Sequence, residues 1–244
     1  MSDEVDFADA ERLLRAAEFE DCQLLWYSSN YVYAARLCSG ENETFAAIYK
    51  PLKGESPLWD FPEGALYKKE AAAYELSRLL GWPFIPPTVV RDGPQGVGSV
   101  QILIAHDPEA HFFVQREVPE LVPQLQRMAV FDAIANNADR KGGHCLLDAE
   151  GTIWGIDHGL CFHPQYKLRS VIWDWVDEPI AGEWLSDVQA AATKLEERTQ
   201  ETAPLLELLT YEETAAMGRR IRTLLKQRTF PRPGPNRHYP WPLV

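Results

Sequence analysis

The sequence predicts an α+β fold of two lobes, in which a small antiparallel sheet with one inserted helix is followed by a mainly helical region. Short segments rich in aromatic and β-branched residues, separated by turn residues, fill much of the first part of the chain. An alanine-rich segment over residues 63–80 interrupts them with helical character. Residues 183–227 have the composition and apolar spacing of helices. We therefore expect a β-rich lobe over residues 1–105 and an α-rich lobe over residues 106–244.

The first lobe alternates strand-like segments with turn residues. Its predicted elements, in chain order, are a helix over 8–18, strands over 23–27, 31–38 and 44–49, the helix over 63–80, and strands at 89–90 and 99–105. Ser28, Ser29 and Asn30 favour a turn, so the first two strands should form a hairpin. Pro51 ends the third strand directly after Lys50, because proline cannot donate to a strand ladder.

The second lobe contains one short hairpin among helices. Its predicted elements are a helix over 122–135, a polar loop over 136–143, strands over 144–147 and 152–156, helices within 183–227 and an extended proline-rich tail. Pro204 is expected to break the helical region, because proline removes a backbone donor.

Composition restricts the function. The 244 residues include 36 acidic and 24 basic side chains, for a net charge of −12. This balance argues against nucleic-acid partners and against docking on anionic membranes. The N-terminus lacks the apolar stretch of a signal peptide, and no apolar run is long enough for stable membrane insertion. The four cysteines form no pairing pattern, so we expect a cytoplasmic protein with free thiols.

Four residues form a pattern that suits phosphoryl transfer. Lys50 ends a predicted strand, Glu70 lies within the alanine-rich helix, Asp139 lies in the polar loop, and Asp157 ends a strand after the hairpin. Such chemistry requires a lysine at the nucleotide phosphates and a glutamate that holds it. It also requires one carboxylate at the acceptor hydroxyl and another at Mg²⁺.

The local sequences resemble known kinases. DRKGGHCLL followed by GIDHGLCF resembles the paired motifs of the phosphatidylinositol 3-/4-kinase superfamily, and IDHGLCFHP is most similar to the metal-binding segment of type II phosphatidylinositol 4-kinases. IYKP resembles their nucleotide-lysine segment. Nearly the whole chain resembles an uncharacterised actinobacterial family related to these kinases, through segments such as FDAIANNADRKGGH. The resemblance implies a bilobal protein-kinase-like fold with a nucleotide-binding first lobe and catalytic and metal-binding loops in the second.

The resemblance also assigns roles in the first lobe. Lys50 would contact the α- and β-phosphates of ATP, and Glu70 would pair with Lys50. Glu63 and Glu75 are the alternative partners of Lys50. Gln101, Ile102 and Leu103 would belong to the hinge that meets adenine.

In the second lobe, Asp139 would orient or deprotonate the acceptor hydroxyl. Arg140 belongs to the same catalytic loop, where it is expected to serve as an anchor. Asp157 would bind Mg²⁺.

Two departures from the family pattern affect the expected site. The sequence has no glycine-rich phosphate loop, so the turn of Ser28, Ser29 and Asn30 is the only candidate cover for the phosphates. His144 stands where the family has a metal-binding Asn. His144 could favour Mn²⁺ over Mg²⁺, or it could hydrogen-bond a phosphate as imidazolium.

The sequence near the hairpin also offers an alternative metal site, because five potential ligands lie close together along the chain: His144, Cys145, His158, Cys161 and His163. Their spacings do not form a zinc module, so Cys145 and Cys161 are expected in the core.

The acceptor is less defined by the sequence. Lys167 and Arg169 follow the Asp157 segment and are candidate acceptor contacts. Basic residues of the last predicted helix and tail could dock an acidic partner: Arg219, Arg220, Arg222, Arg228, Arg232 and Arg237. The sequence thus predicts an ATP-dependent phosphotransferase acting on a soluble hydroxyl acceptor, either a small molecule or a protein. A protein kinase or nucleotidyl transferase on the same fold, and a nucleotide-binding pseudokinase, are the alternatives.

Overall fold

The structure is a computed structural model that describes residues 7–26, 30–40, 43–58, 61, 64–235 and 237–244. The first lobe comprises α1 (Phe7–Ala16), β1 (Glu18–Leu25), β2 (Val32–Cys38), β3 (Thr44–Pro51), α2 (Leu66–Leu79), β4 (Thr88–Gly93) and β5 (Gly96–Ile102). The second comprises α3 (Phe112–Gln115), α4 (Val122–Ala135), β6 (Cys145–Leu147), β7 (Ile153–Gly155), α5 (Gly182–Glu197), α6 (Ala203–Leu208) and α7 (Tyr211–Gln227).

The first five strands form one antiparallel sheet in the order β1-β2-β3-β5-β4. In the centre of this sheet Lys50 of β3 lies opposite Ser99 of β5. The neighbouring position 98 in β5 must be glycine, because a Cβ atom there would lie only 2.5 Å from the carbonyl oxygen of Lys50. This close pairing fixes the end of β3, from which the Lys50 side chain projects.

Strand alternation separates the two faces of this sheet. Tyr49, Leu37 and Val100 are completely buried in a core that also contains Leu14 of α1. Because neighbouring residues of a strand point to opposite faces, Lys50 points away from this core. The sheet therefore presents Lys50 toward the second lobe.

Helix α2 packs into the main core of the molecule. Its Ala72 and Leu76 are completely buried in a cluster with Phe131 of α4, Val188 of α5 and Ile221 of α7. The helix lies between β3 and β4 in sequence, but its buried apolar residues belong to the same core as those of the helical lobe. The boundary between residues 105 and 106 stays a prediction.

Several element boundaries differ from those expected. Strand β1 begins at Glu18 rather than 23, directly after α1, and α2 begins at Leu66 rather than 63. Pro204 does not break a helix, because it lies in the first turn of α6, where its missing donor is not needed. The helical region is instead interrupted at Arg198, which has a left-handed backbone with φ of 52°.

Two further differences concern the functional region. His144 is not in a strand but ends a 3-10 turn over Gly142–His144, and β6 begins at Cys145. Strand β5 ends at Ile102 rather than 105. Among the described residues, no helix is both long and apolar enough to cross a membrane.

Candidate active site

Lys50 joins the two lobes through two carboxylates. Its Nζ lies 2.5 Å from Oε1 of Glu70 and 2.8 Å from Oδ1 of Asp157. Burial alone would lower the pKa of Lys50, but Asp157 and Glu70 outweigh it and raise the pKa. Lys50 is therefore a cation held at the centre of the interface between sheet and helices.

Glu70 is held from both sides. Its side chain is only 4% exposed, and its Oε2 accepts a hydrogen bond of 2.9 Å from the backbone N–H of His158. Of the other glutamates considered as partners of Lys50, Glu75 pairs with Arg78, and Glu63 lies outside the described residues. Helix α2 thus positions Glu70 between Lys50 and the segment that follows β7.

Asp157 occupies the turn after β7 with a left-handed backbone, φ 61°. Its second oxygen, Oδ2, lies 3.3 Å from Nε2 of His144. The charge of Lys50 lowers the pKa of Asp157 strongly, against the opposing effect of burial. Asp157 is therefore a carboxylate that faces both Lys50 and His144.

The loop after α4 is shaped by its asparagines. Asn136 ends the helix in the left-handed conformation, with φ of 56°. The Asn137 side chain accepts a 2.9 Å hydrogen bond from the N–H of Asp139 and donates one of 3.0 Å to Asp132. These contacts turn the chain so that Asp139 lines the cleft.

Arg140 is a completely buried anchor beneath this loop. Its guanidinium donates to both carboxylate oxygens of Asp132, at 2.8 and 3.0 Å, and to the carbonyl oxygens of His144 and Ile156. It also lies 2.7 Å from Nε2 of His158. These contacts agree with the anchoring role that the sequence predicts for Arg140 within the loop.

Asp139 differs electrostatically from Asp157. Burial raises the pKa of Asp139 to about 6, although the charge of Lys141 acts in the opposite direction. The Lys141 ammonium lies 3.4 Å from Oδ2 of Asp139. Lys141 is not among the site residues predicted from the sequence, although its place two residues after Asp139 is a signal for it.

Three potential metal ligands converge in the cleft. Asp139, His144 and Asp157 each offer one ligand atom, and these atoms lie within 4.8 Å of one another. Burial lowers the pKa of His144 to about 4, so its imidazole is neutral at physiological pH. Its Nδ1 accepts a hydrogen bond of 3.4 Å from the N–H of Lys141, and its Nε2 faces Asp157. Two carboxylates and one imidazole form a donor set that fits a divalent cation such as Mn²⁺.

The cleft around these residues has a volume of about 170 Å³. Its lining comes from both lobes: Asn30, Tyr31, Val32, Lys50, Pro51, Gly54, Glu55, Ser56, Leu58, Leu66, Tyr67, Glu70, Asp139, Asp157, Gly159 and Leu160. The proposed phosphate cover is described in part, because Ser28 and Ser29 lie outside the described residues. The Asn30 side chain accepts a 2.8 Å hydrogen bond from the N–H of Ser56.

The segment after β3 also lines the cleft, although it is not part of the site predicted from the sequence. The backbone of Gly54 contacts Tyr31 so closely that a side chain at Gly54 would lie 2.7 Å from the Tyr31 Cβ. The Glu55 carboxylate accepts a 2.8 Å hydrogen bond from the Tyr67 N–H in the first turn of α2. The glycine between Lys53 and Glu55 was the signal for this close approach.

The predicted hinge residues lie at the end of β5. The Gln101 amide donates to Thr88, the Ile102 side chain packs on the outer core, and the backbone N–H of Leu103 donates to Ala46. In the part of the chain that is described, none of the three lines the cleft. Their role toward adenine stays a prediction.

The remaining candidates lie around the site. Cys145 and Cys161 are buried free thiols.

The Lys167 ammonium lies over the ring of Phe61, 5.6 Å from its centre. The carbonyl oxygen of Arg169 accepts a hydrogen bond from the N–H of Arg140. Lys167, whose N–H donates to the Asn136 side chain, and Arg169 thus border the loop after α4, and their contact with an acceptor stays a prediction.

A family profile and several known proteins are similar to this chain. The family profile described as Phosphatidylinositol 3- and 4-kinase matches residues 66–180, which include Glu70, Asp139 and Asp157. Phosphatidylinositol 4-kinase gamma 4 of Oryza sativa subsp. japonica is 28% identical over 64% of this chain. The matched part covers 33% of that relative, so this chain spans about a third of its length.

A solved structure shares the fold. The Golgi casein kinase with Mn/ADP bound superposes with a TM-score of 0.54 at 13% identity, covering 91% of this chain and 75% of that protein.

Protein Rv2133c of Mycobacterium tuberculosis is 36% identical, and the match covers 85% of this chain and 90% of the relative. The chain therefore belongs to the family of this mycobacterial protein, which is related to the phosphatidylinositol 3- and 4-kinases, and it has a protein-kinase-like fold.

Proposed function

We propose that this protein is an ATP-dependent phosphotransferase that acts on a hydroxyl group of a soluble acceptor. The observation that carries the proposal is the cleft in which Lys50 contacts Glu70 and Asp157 while Asp139 lines the same space. These are the residue types that phosphoryl transfer requires, since its catalysis consists mainly of positioning and charge stabilisation. The Mn/ADP complex of the Golgi casein kinase, a protein of similar fold, supports a nucleotide in this cleft.

Each residue of the cleft has a separate role in the proposed reaction. The Lys50 cation contacts the phosphates and is kept in place by Glu70. Asp139 accepts the proton of the acceptor hydroxyl. A pKa of about 6 keeps Asp139 ionised at neutral pH while making it a stronger base than an ordinary aspartate. Lys141, 3.4 Å away, supplies a second positive charge beside the transferred group.

A divalent cation would be held by Asp157 and His144, next to Asp139, which is left to serve the acceptor hydroxyl. When bound, such an ion neutralises the charge of the phosphates and orients them. The nitrogen donor of His144 favours Mn²⁺, although Mg²⁺ remains compatible with the carboxylate of Asp157.

The acceptor is proposed to be a small molecule or a protein in the cytoplasm. Lys167 and Arg169 border the catalytic loop and are the proposed acceptor contacts. The arginines of α7 and the tail are a proposed docking surface for an acidic partner.

Labelled ATP tests the proposal directly. The protein is incubated with ATP labelled in the γ- or the α-phosphate, with Mn²⁺ or Mg²⁺, and with pools of soluble hydroxyl compounds or proteins. We expect transfer of the γ-label, and we expect Asp139→Asn to abolish it. Transfer of the α-label instead would identify a nucleotidyl transferase.

A pseudokinase is the second candidate, and the observation that favours it is His144. Its imidazole stands in the site where the related kinases supply an oxygen ligand, which alters the metal site. Nucleotide binding without transfer of either label, with both metals and all acceptor pools, would identify this function.

A further inference from the structure

Helix α2, which carries Glu70, is fastened to the helical lobe by a second ion pair. The Lys69 Nζ lies 2.5 Å from Oε2 of Glu213, and both side chains are 5% exposed. The same Oε2 accepts a 2.9 Å hydrogen bond from the N–H of Thr210, the residue that caps α7. Glu213 therefore fixes the start of α7 and the start of α2 together. We refer to Lys69, Glu213 and Thr210 as the α2 anchor.

The other end of the helix is held as well. The Trp82 indole, just after α2, donates a 2.9 Å hydrogen bond to Asp187 in α5. Between the two ends, Ala72 and Leu76 are buried in the same cluster as Leu205 of α6. Helix α2 is thus attached to the helical lobe at both ends and at its centre, while its Tyr74 and Arg78 contact Glu11 of α1 on another side.

The α2 anchor restricts how the helix can turn. Successive residues of an α-helix are separated by about 100° around its axis, so holding Lys69 against α7 fixes the direction in which Glu70 points. A rotation or withdrawal of the helix would leave the Lys69 and Glu213 charges buried without partners, which is strongly unfavourable. The carboxylate of Glu70 consequently stays at Lys50 and at the N–H of His158.

We propose that Lys69 and Glu213 are positioning residues of the nucleotide site, which act by holding Glu70 in place for Lys50. This inference rests on the proposed function, because its consequence is measured on nucleotide binding. It also makes the Lys50–Glu70 pair a contact between the sheet and a helix that belongs to the main core. A nucleotide that engages Lys50 is therefore coupled to the helical lobe through Glu70.

A double-mutant cycle tests the positioning role. Calorimetry measures the affinity for ADP with Mn²⁺ in the wild-type chain, Lys69→Met, Glu70→Gln and the double variant. We expect Lys69→Met to weaken binding about tenfold in the wild-type background and less than about twofold when Glu70→Gln is present, because the effect acts through Glu70. Lys68→Met, which removes the exposed neighbouring lysine, should leave the affinity unchanged.

Two results would overturn the role. One is an unchanged affinity in Lys69→Met, and the other is an equal loss in both backgrounds, which a merely structural contact would produce. If Lys69→Met does not fold, Glu213→Gln carries the same comparison, since its amide oxygen still accepts from Thr210 while the charge opposite Lys69 is gone. We expect Glu213→Gln to weaken binding about threefold in the wild-type background and by a factor near one with Glu70→Gln.

Failure of the proposed function gives a different pattern. A wild-type chain that binds ADP with Mn²⁺ but transfers no phosphoryl group refutes the phosphotransferase and leaves the cycle to decide the positioning role. A wild-type chain that binds no ADP refutes the nucleotide site and the positioning role together. Additive losses in a chain that binds ADP refute the positioning role alone.

Discussion

At the residue scale, Asp139 is held in a half-buried place that makes its ionised form costly. Its pKa is raised to about 6 from an ordinary value of 3.8. The unfolded chain therefore ionises this carboxyl at a lower pH than the folded chain does. Stability is consequently lost as the pH rises from about 4 to 6, and the cost is constant above that range.

This cost predicts that Asp139→Asn stabilises the metal-free protein at neutral pH. A shift of this size corresponds to an upper limit of about 3 kcal/mol, so we expect a gain of about 1–3 kcal/mol at pH 7 that disappears near pH 4. Urea unfolding in the presence of a chelator at the two pH values measures it. Asp92→Asn, at an exposed carboxyl, should give little change at either pH. An equal or lower stability of Asp139→Asn at pH 7 would contradict this account.

His144 is predicted to set the choice of metal. Its imidazole nitrogen lies in the ligand group with Asp139 and Asp157, and a nitrogen donor suits Mn²⁺ better than Mg²⁺. We expect His144→Asn to lower the preference for Mn²⁺ over Mg²⁺ by about threefold or more, measured as the ratio of ADP affinities in the two metals. A ratio that does not change would exclude His144 from the metal site.

At the element scale, the loop after α4 depends on the buried pair of Arg140 and Asp132. Arg140→Met leaves the Asp132 charge without its partner, so we expect a loss of about 3–5 kcal/mol in the free energy of unfolding. Adding Asp132→Leu should recover part of that loss, because an apolar pair replaces the unpaired charge. A chain with Arg140→Met that is as stable as wild type would show that the network does not hold the loop.

The tail is predicted to support the same loop. The carbonyl oxygen of Leu243 accepts a 2.7 Å hydrogen bond from the N–H of Gly142, and that of His238 accepts one of 3.0 Å from Ser170. Removal of residues 238–244 should therefore loosen the turn that carries His144 and weaken Mn²⁺ binding by about three- to tenfold. Metal titration of the shortened and full chains measures it, and equal affinities would contradict the prediction.

Local sequence signals were sufficient for some elements and insufficient for others. Helix α4 has the predicted bounds, and β2 and β3 lie close to theirs, since apolar periodicity and proline act over a few residues. The sequence predicts a strand at His144, but the N–H of nearby Gly142 donates its hydrogen bond to the carbonyl oxygen of Leu243, about a hundred residues later in the sequence. A contact between residues so far apart cannot be predicted from the local sequence pattern.

At the scale of the whole molecule, the motifs select Lys50, Glu70, Asp139 and Asp157 by chemical type, and the fold brings these four residues to one cleft. The contacts that surround these residues could not be predicted from the motifs. Lys69 and Glu213 are far apart in sequence, and their pairing depends on how α2 packs on the helical lobe. The pairing of Lys141 with Asp139 likewise depends on the geometry of the loop, which brings the Lys141 ammonium to 3.4 Å from Oδ2 of Asp139.

The net charge of −12 bears on how the cleft could bind a nucleotide. Lys50 is the cation at the centre of the cleft, and it already faces Glu70 and Asp157. A nucleotide brings further negative charge to this place, so a divalent cation is needed to offset it. We therefore expect ADP binding to be weak in a chelator and to increase when Mn²⁺ is added.

The most direct measurement is a calorimetric titration of the protein with ADP in the presence of Mn²⁺, for the wild-type chain, Asp157→Asn and the exposed control Asp92→Asn. The account predicts that wild type and Asp92→Asn bind alike, and that Asp157→Asn weakens binding by about a hundredfold, since it removes the charge that faces both Lys50 and the metal site. No binding by the wild-type chain, or equal binding by Asp157→Asn, would contradict the nucleotide site that this structure supports.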